Sequence, residues 1–334
     1  MRRREFITRL TGAAAAIALS HPHFARAQQE NRIRRIGVME IGHADDPVVQ
    51  ARIAAGREEL EKLGWQVGRN LAIDYRWGVA SVETGLLLGN ELLSQSPDAI
   101  FSVGTPSAKA LQQATKTVPI VFVFVAEPID QGLVQSLAHP GGNFTGFSYL
   151  ERSTGAKWLA LLTEIAPKVK RIAYVFSPKA APHAHFYYET AQAAGKQMGV
   201  QVDISPVEAP PDFEPILAHL GDDGGVIFEP DAVLDNNLGL AIDLAARYRV
   251  PALYGGGGPA TAKAGGLISY NLDQPAQFRQ ASTYLDRILR GEKPADLPVQ
   301  QPTKFQYVVN LKTAKSLGLS VPLAMQMSAD EVIE

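Results

Sequence analysis

The 334-residue chain is predicted to be an α/β protein built as two similar lobes, each a mostly parallel sheet wrapped by helices. Three observations predict this. Short β-branched runs alternate with longer helical patterns, the signature of strands joined through covering helices. The alternation restarts about 136 residues further on, where Arg35-Ile36-Gly37-Val38 finds its counterpart in Arg171-Ile172-Ala173-Tyr174-Val175. A Pro/Gly-rich segment, HPGGNFTGFS at residues 139–148, separates the two copies and can run extended from one to the other.

In chain order, RIRRIGVM begins the first lobe as a strand, and PVVQARIAAGREELEKLG follows as a helix. NLAIDYR, DAIFSVG and VPIVFVF continue the sheet, with VETGLLLGNELLSQ and PSAKALQQA as the helices between them. Asp98-Ala99-Ile100-Phe101 and Val118-Pro119-Ile120-Val121 pair with Gly225-Val226-Ile227-Phe228 and Val250-Pro251-Ala252-Leu253 at similar offsets. A second crossing is expected near Ser269-Tyr270-Asn271, followed by an amphipathic helix over residues 275–289 that returns to the first lobe. The segment GEKPADLPVQQPTKF then carries the chain back. The expected division is residues 32–146 plus 276–302 for the N-terminal lobe and 147–275 plus 303–334 for the C-terminal lobe. Several crossings make a hinge suited to opening and closing.

Residues 1–27 read as a cleaved export signal: a basic start, an apolar run over residues 10–19, and Ala25-Arg26-Ala27 as the cleavage site. Arg3-Arg4-Glu5-Phe6-Ile7 resembles the twin-arginine pattern. The apolar run is far short of the ~20 residues that span a bilayer, so the mature chain is expected in the periplasm without membrane insertion. Losing five Arg and one Glu with the signal takes the formal net charge from -2 to -6, which gives no footprint for nucleic acid. The chain has no Cys, which excludes disulfides, thiolate metal sites and a lipid anchor through an N-terminal Cys.

In open α/β sheets ligands collect beyond the carboxyl ends of the strands, so the residues that follow each strand are the candidates. In the first lobe these are Glu40, then Gly104, Thr105, Pro106 and Ser107, then Val125 and Glu127, with Asn143 and Thr145 in the crossing segment. In the second they are Ser177, Glu229, Asp231, Tyr254 and Gly256. At Gly104-Thr105-Pro106-Ser107 the glycine permits close approach, Thr105 is expected as the N-cap and Pro106 as the first helical residue. The amides of Ser107, Ala108 and Lys109 would then attract an anion such as a carboxylate, or simply face water. Glu229 and Asp231 are expected to meet a ligand ammonium from the opposite side, with a solvated turn as the alternative. Tyr254 offers a ring face, whereas Phe186-Tyr187-Tyr188 reads as helix packing.

The glycine run at residues 255–258 matches neither GxxxxGK[ST] nor GxGxxG and reads as a close-approach loop. His183-Ala184-His185 lacks a neighbouring carboxylate and reads as a surface loop rather than a metal site. The sequon at Asn143 is read as coincidence. HExxH, GxSxG and a thiol nucleophile are all missing, so no catalysis, metal or cofactor is expected.

Taken together, Gly104-Thr105-Pro106, residues 114–122, Gly132-Leu133-Val134-Gln135-Ser136-Leu137-Ala138 and Pro140-Gly141-Gly142-Asn143-Phe144-Thr145-Gly146 resemble the ABC-transporter substrate-binding protein family related to the TrpX-type tryptophan and tyrosine binders. In the second half, residues 264–270, Arg287-Ile288-Leu289-Arg290-Gly291, Pro302-Thr303-Lys304-Phe305 and residues 310–315 carry the same resemblance. It implies a type I periplasmic-binding-protein fold, two Rossmann-like lobes joined by a three-strand hinge and closing on a small solute such as an amino acid. It also implies an inner-membrane ABC permease as partner and makes residues 105–107 carboxylate candidates. Glu127-Pro128 stands where relatives have Asp-Pro, and Gly256-Gly257-Gly258-Pro259 replaces larger side chains, leaving that wall more open. A sensory module docking on a membrane receptor, and an exported hydrolase using Glu229 or Asp231, are the other functional readings.

Overall fold

The computed structural model describes residues 32–334; the expected export signal at residues 1–27 lies outside the described residues. Two sheets organise the chain. The first has the order β2-β1-β3-β4-β5 and is parallel throughout. Its strands are β1 (Arg34–Met39), β2 (Leu71–Arg76), β3 (Ala99–Val103), β4 (Ile120–Val125) and β5 (Phe144–Ser148). Every residue of β3, β4 and β5 is buried, as expected of parallel strands covered by helices on both faces. The covering helices are α1 (Pro47–Lys62), α2 (Val82–Ser94) and α3 (Thr105–Ala114).

The second lobe begins with α4 (Thr154–Ile165), β6 (Arg171–Phe176), α5 (His185–Met198), β7 (Gln201–Pro206), α6 (Phe213–Ala218) and β8 (Gly224–Phe228). It continues through α7 (Ala232–Asp235), α8 (Leu238–Arg247), β9 (Ala252–Tyr254), α9 (Gly258–Lys263) and β10 (Ile268–Leu272). Helix α10 (Gln274–Leu289) intervenes before β11 (Phe305–Asn310), α11 (Leu311–Ser316), α12 (Leu323–Ser328) and β12 (Glu331–Ile333). The sheet order is β12-β11-β10-β9-β8-β6-β7, parallel except where β10 meets β11.

Helix α10 belongs physically to the first lobe. Its apolar stripe buries Phe278, Ala281, Leu285 and Ile288, and Phe278 stands edge-on to Phe101 of β3 at 4.9 Å between ring centres. The Ser282 hydroxyl donates to the Gly56 carbonyl of α1 (2.9 Å), and the Trp65 indole donates to Asp286 (2.8 Å). Burying the Phe278 side chain alone is worth about 1.5–3 kcal/mol, which fixes this detour of the chain.

Three passages therefore link the sheets. The first follows β5, whose last residue, Ser148, still pairs with Val125 of β4, while Phe147 bridges to Gln300. The second lies at Asp273, whose carboxylate caps α10 by accepting from the Ala276 amide (3.0 Å). The third starts at Gln300, whose amide donates to Gly146 and whose carbonyl accepts from Ser148, both at 2.9 Å.

Candidate ligand-binding cleft

The carboxyl ends of the two sheets face a common cavity of about 210 Å³, lined from both lobes. Its first wall is the β3–α3 turn. Gly104, not Thr105, is the cap residue: its φ of 84° is left-handed, and a Cβ there would stand 2.7 Å from the Ile41 side chain. Thr105 is thus the first helical residue and Pro106 the second. The Ala108 amide returns to the Gly104 carbonyl (3.2 Å), so the unpaired amides of the turn are those of Thr105 and Ser107, fewer than the spacing implied. Thr105 is 5% exposed, and among the described residues its hydroxyl has no hydrogen-bond partner. A buried, orphaned hydroxyl at a helix start lacks an acceptor that something else must supply.

Behind this wall Glu40 is fully buried and binds Arg52, accepting at 2.5 and 3.3 Å. Arg52 lines the cavity, donates to Gln274 just past the second passage (2.7 Å), and lies over the rings of Phe124 and Phe278. Phe124 adopts a φ of 57° at the end of β4. Such a conformation costs a bulky residue about 1–3 kcal/mol, and here it accompanies a ring that lines the cavity beside Tyr149.

The opposite wall is acidic. Asp231 accepts from the amides of Ser177, Val233 and Leu234 at 2.7–2.9 Å. Burial raises its carboxyl above the ordinary range against those three donors. Asp235, one helical turn on, accepts no hydrogen bond among the described residues. Its side chain is exposed to solvent at the cavity, so partial desolvation and the Asp231 and Asp46 charges, with Arg52 opposing, raise its carboxyl by an amount that solvent screening reduces. A Cβ on Gly256 would sit 2.5 Å from an Asp235 carboxylate oxygen. The glycine run is therefore the space that Asp235 occupies.

Of the candidates read from the sequence, Gly104, Thr105, Pro106 and Asp231 line this cavity, and Asp46, Arg52, Phe124, Tyr149, His183 and Asp235 join them. The others are placed elsewhere. Ser107 shares a hydrogen bond with Ser102 (2.8 Å), and Val125 is core. Glu127 pairs with Arg152 beside the first passage (3.0 Å). Asn143 donates to the Val118 carbonyl and Thr145 to that of Leu297, so both brace connecting segments around β5. Ser177 contributes its amide to Asp231. Tyr254 is buried and stacked on Phe228.

Glu229 corrects an expectation. It is fully buried, accepts from the Tyr174 hydroxyl and leaves its second oxygen unpaired. Burial pushes its carboxyl well above the carboxylate range, with Asp231 adding to the rise against the Tyr174 hydrogen bond. It is therefore sealed away from the cavity, whose wall on this side is formed by Asp231 and Asp235 instead. The histidine pair is also resolved: His185 faces the Pro182 carbonyl (2.9 Å), while His183 is buried in the cavity wall rather than in a surface loop.

Residues 43–333 match the family described as ABC transporter substrate binding protein. The chain belongs to that family. A tyrosine-binding protein of Clostridioides difficile is 23% identical over 98% of this chain and 91% of its own length. An ABC domain from Streptococcus pneumonia, solved in complex with L-Trp, superposes with a TM-score of 0.81 at 22% identity, over 90% of this chain and 99% of that one. A conserved domain protein of Vibrio cholerae gives 0.81 at 25%, over 90% of this chain and all of that one. The fold of this binding protein is thus the type I periplasmic-binding-protein fold, and its family binds small solutes for ABC transport rather than transforming them. Among the described residues no helix is long and apolar enough to cross a membrane.

Proposed function

We propose that this protein is the extracytoplasmic receptor of an ABC importer, exported to the periplasm through its twin-arginine-like signal, and that it takes a zwitterionic amino acid between its lobes. One observation carries the reading: among the described residues the buried, unpartnered Thr105 hydroxyl and the solvent-exposed Asp235 carboxylate line the same cavity from opposite lobes. A carboxylate at the first wall accepts from that hydroxyl with the helix dipole behind it. An ammonium at the second draws Asp235 into its charged form.

The cavity, at about 210 Å³, is smaller than the roughly 300–1,000 Å³ pockets that hold drug-sized ligands. Phe124 and Tyr149 add ring surface between the charged ends, consistent with relatives described as binding tyrosine and tryptophan. A ligand held by both walls favours the closed arrangement by its differential contacts. The lobes, taken as residues 32–146 plus 276–302 and 147–275 plus 303–334, would close about the three passages and present that form to an inner-membrane permease.

Calorimetry on ligand-stripped protein tests this with phenylalanine, 3-phenylpropanoate and phenethylamine, together with scattering for compaction. Phenylalanine should bind, and each singly charged analogue should bind at least about tenfold more weakly for the charge-assisted hydrogen bonds it loses. Equal affinity for the truncated analogues, or binding without compaction, would refute the reading.

A further inference from the structure

His183 sits where the chain runs from β6 toward α5, in the wall of the same cavity. It is 9% exposed, and among the described residues neither ring nitrogen has a hydrogen-bond partner. Its ring stands edge-on to Tyr149 at 6.5 Å and to Tyr187 at 6.1 Å, distances that fill space without satisfying a nitrogen. The Tyr187 hydroxyl is engaged elsewhere, donating to the Leu150 carbonyl (3.1 Å), and the Tyr149 ring meets His183 with its edge rather than through a hydrogen bond. Burial lowers the imidazole to about 4, helped by the nearby His185. At neutral pH it therefore carries one N–H and one bare nitrogen.

Leaving a buried imidazole unpaired is unfavourable unless a partner arrives. The charged ends of a ligand already have their receptors at Thr105 and Asp235. The cavity surface near His183 includes the Tyr149 ring, with Phe124 against Tyr149 in turn. That surface suits an aromatic ring.

We infer that His183 is a specificity residue whose bare nitrogen accepts a hydrogen bond from a donor on the ligand's aromatic ring, a phenol O–H or an indole N–H. This rests on the amino-acid reading above and deepens it by naming the side-chain class. Selection arises because a ring without the donor leaves the imidazole buried and unsatisfied in the closed cleft.

The test compares matched pairs that differ in that donor alone: tyrosine with phenylalanine, and tryptophan with its ring-N-methylated analogue. Titration calorimetry on the full mature protein and on His183→Phe should show the donor-bearing member of at least one pair binding roughly ten- to hundredfold tighter to the wild type, the ratio set by one buried unsatisfied group. In His183→Phe that ratio should fall to near unity, with the donor-lacking member holding its affinity. Retained binding of the latter shows that the variant is folded. Should His183→Phe lose all binding, the 15N shifts of the His183 ring in the wild type decide instead: the bare nitrogen must move on adding the donor-bearing member and stay in place with its partner.

An unchanged ratio in His183→Phe, or no discrimination within either pair, overturns the inference while leaving the amino-acid receptor intact. If none of the amino acids binds but p-cresol or indole does, and His183→Phe abolishes it, the zwitterion reading falls and the role of His183 stands. Silence from all of these probes removes both.

Discussion

The buried Arg52–Glu40 pair gives the sharpest prediction for the first wall of the cleft. Replacing Arg52 with Met keeps much of the apolar stem but strands the Glu40 carboxylate, which is 0% exposed and retains only the Gly42 amide as donor (3.0 Å). It also removes the hydrogen bond to Gln274 and the contact over two aromatic rings. Breaking one side of a buried ion pair costs about 3–5 kcal/mol. For a lobe of this size that lowers Tm by roughly 6–20 °C. The companion variant Arg52→Met/Glu40→Gln removes the stranded charge and should recover about half of the loss, since a neutral amide is far less costly to bury. Urea unfolding followed by tryptophan fluorescence suits the measurement, because Trp65 and Trp77 lie in the first lobe and Trp158 in the core of the second. A loss below about 1 kcal/mol for Arg52→Met, the range of an exposed pair, would refute the argument that this pair is desolvated and structural. So would a double variant no more stable than the single one.

Two pH effects follow from the cleft. The Asp235 carboxyl is raised in the folded chain toward about 7 from near 3.9 when unfolded, a rise that screening reduces because the side chain is exposed at the cavity. The ligand-free protein therefore loses stability from this group as pH rises through that window. Asp235→Asn should raise the ligand-free Tm at pH 7.5 and flatten its fall between pH 5 and 7 in differential scanning calorimetry, while weakening binding of ammonium-bearing ligands. His183 works in the other direction: its folded value of about 4 lies below the unfolded 6.5, so stability is full above 6.5 and lost as pH falls toward 4. The loss amounts to about 3 kcal/mol at pH 4, and His183→Phe should show an acid limb of the Tm profile shallower by about that amount.

The alternation of β-branched runs and helical patterns determined the two parallel sheets by itself, because strand and helix periods are written locally and a parallel connection requires a covering helix. The turn at Gly104-Thr105-Pro106 was legible for the same reason: glycine and proline constrain the backbone wherever they stand. The assignment of the cap one residue too late reflects what sequence does not specify, the left-handed Gly104 tucked against Ile41. Asp231 was legible as a residue past a strand end. Asp235, four residues later and so on the same face of one turn, carried a signal that went unused.

Only tertiary structure decided the remainder. Glu229 and Asp231 are two residues apart, yet one is sealed beneath Tyr174 and the other caps a helix at the cavity edge. Arg52 lies in an alanine-rich helical stretch that reads as ordinary surface alternation, and its burial depends on Glu40 and on Gln274, 222 residues away. His183 differs from His185 by two positions, and only the packing of Tyr149 and Tyr187 around one of them leaves it dry and unpaired. The division follows from physics: backbone preference and periodicity are properties of neighbours in the chain, whereas desolvation and the pairing of charges are properties of whatever the fold brings alongside.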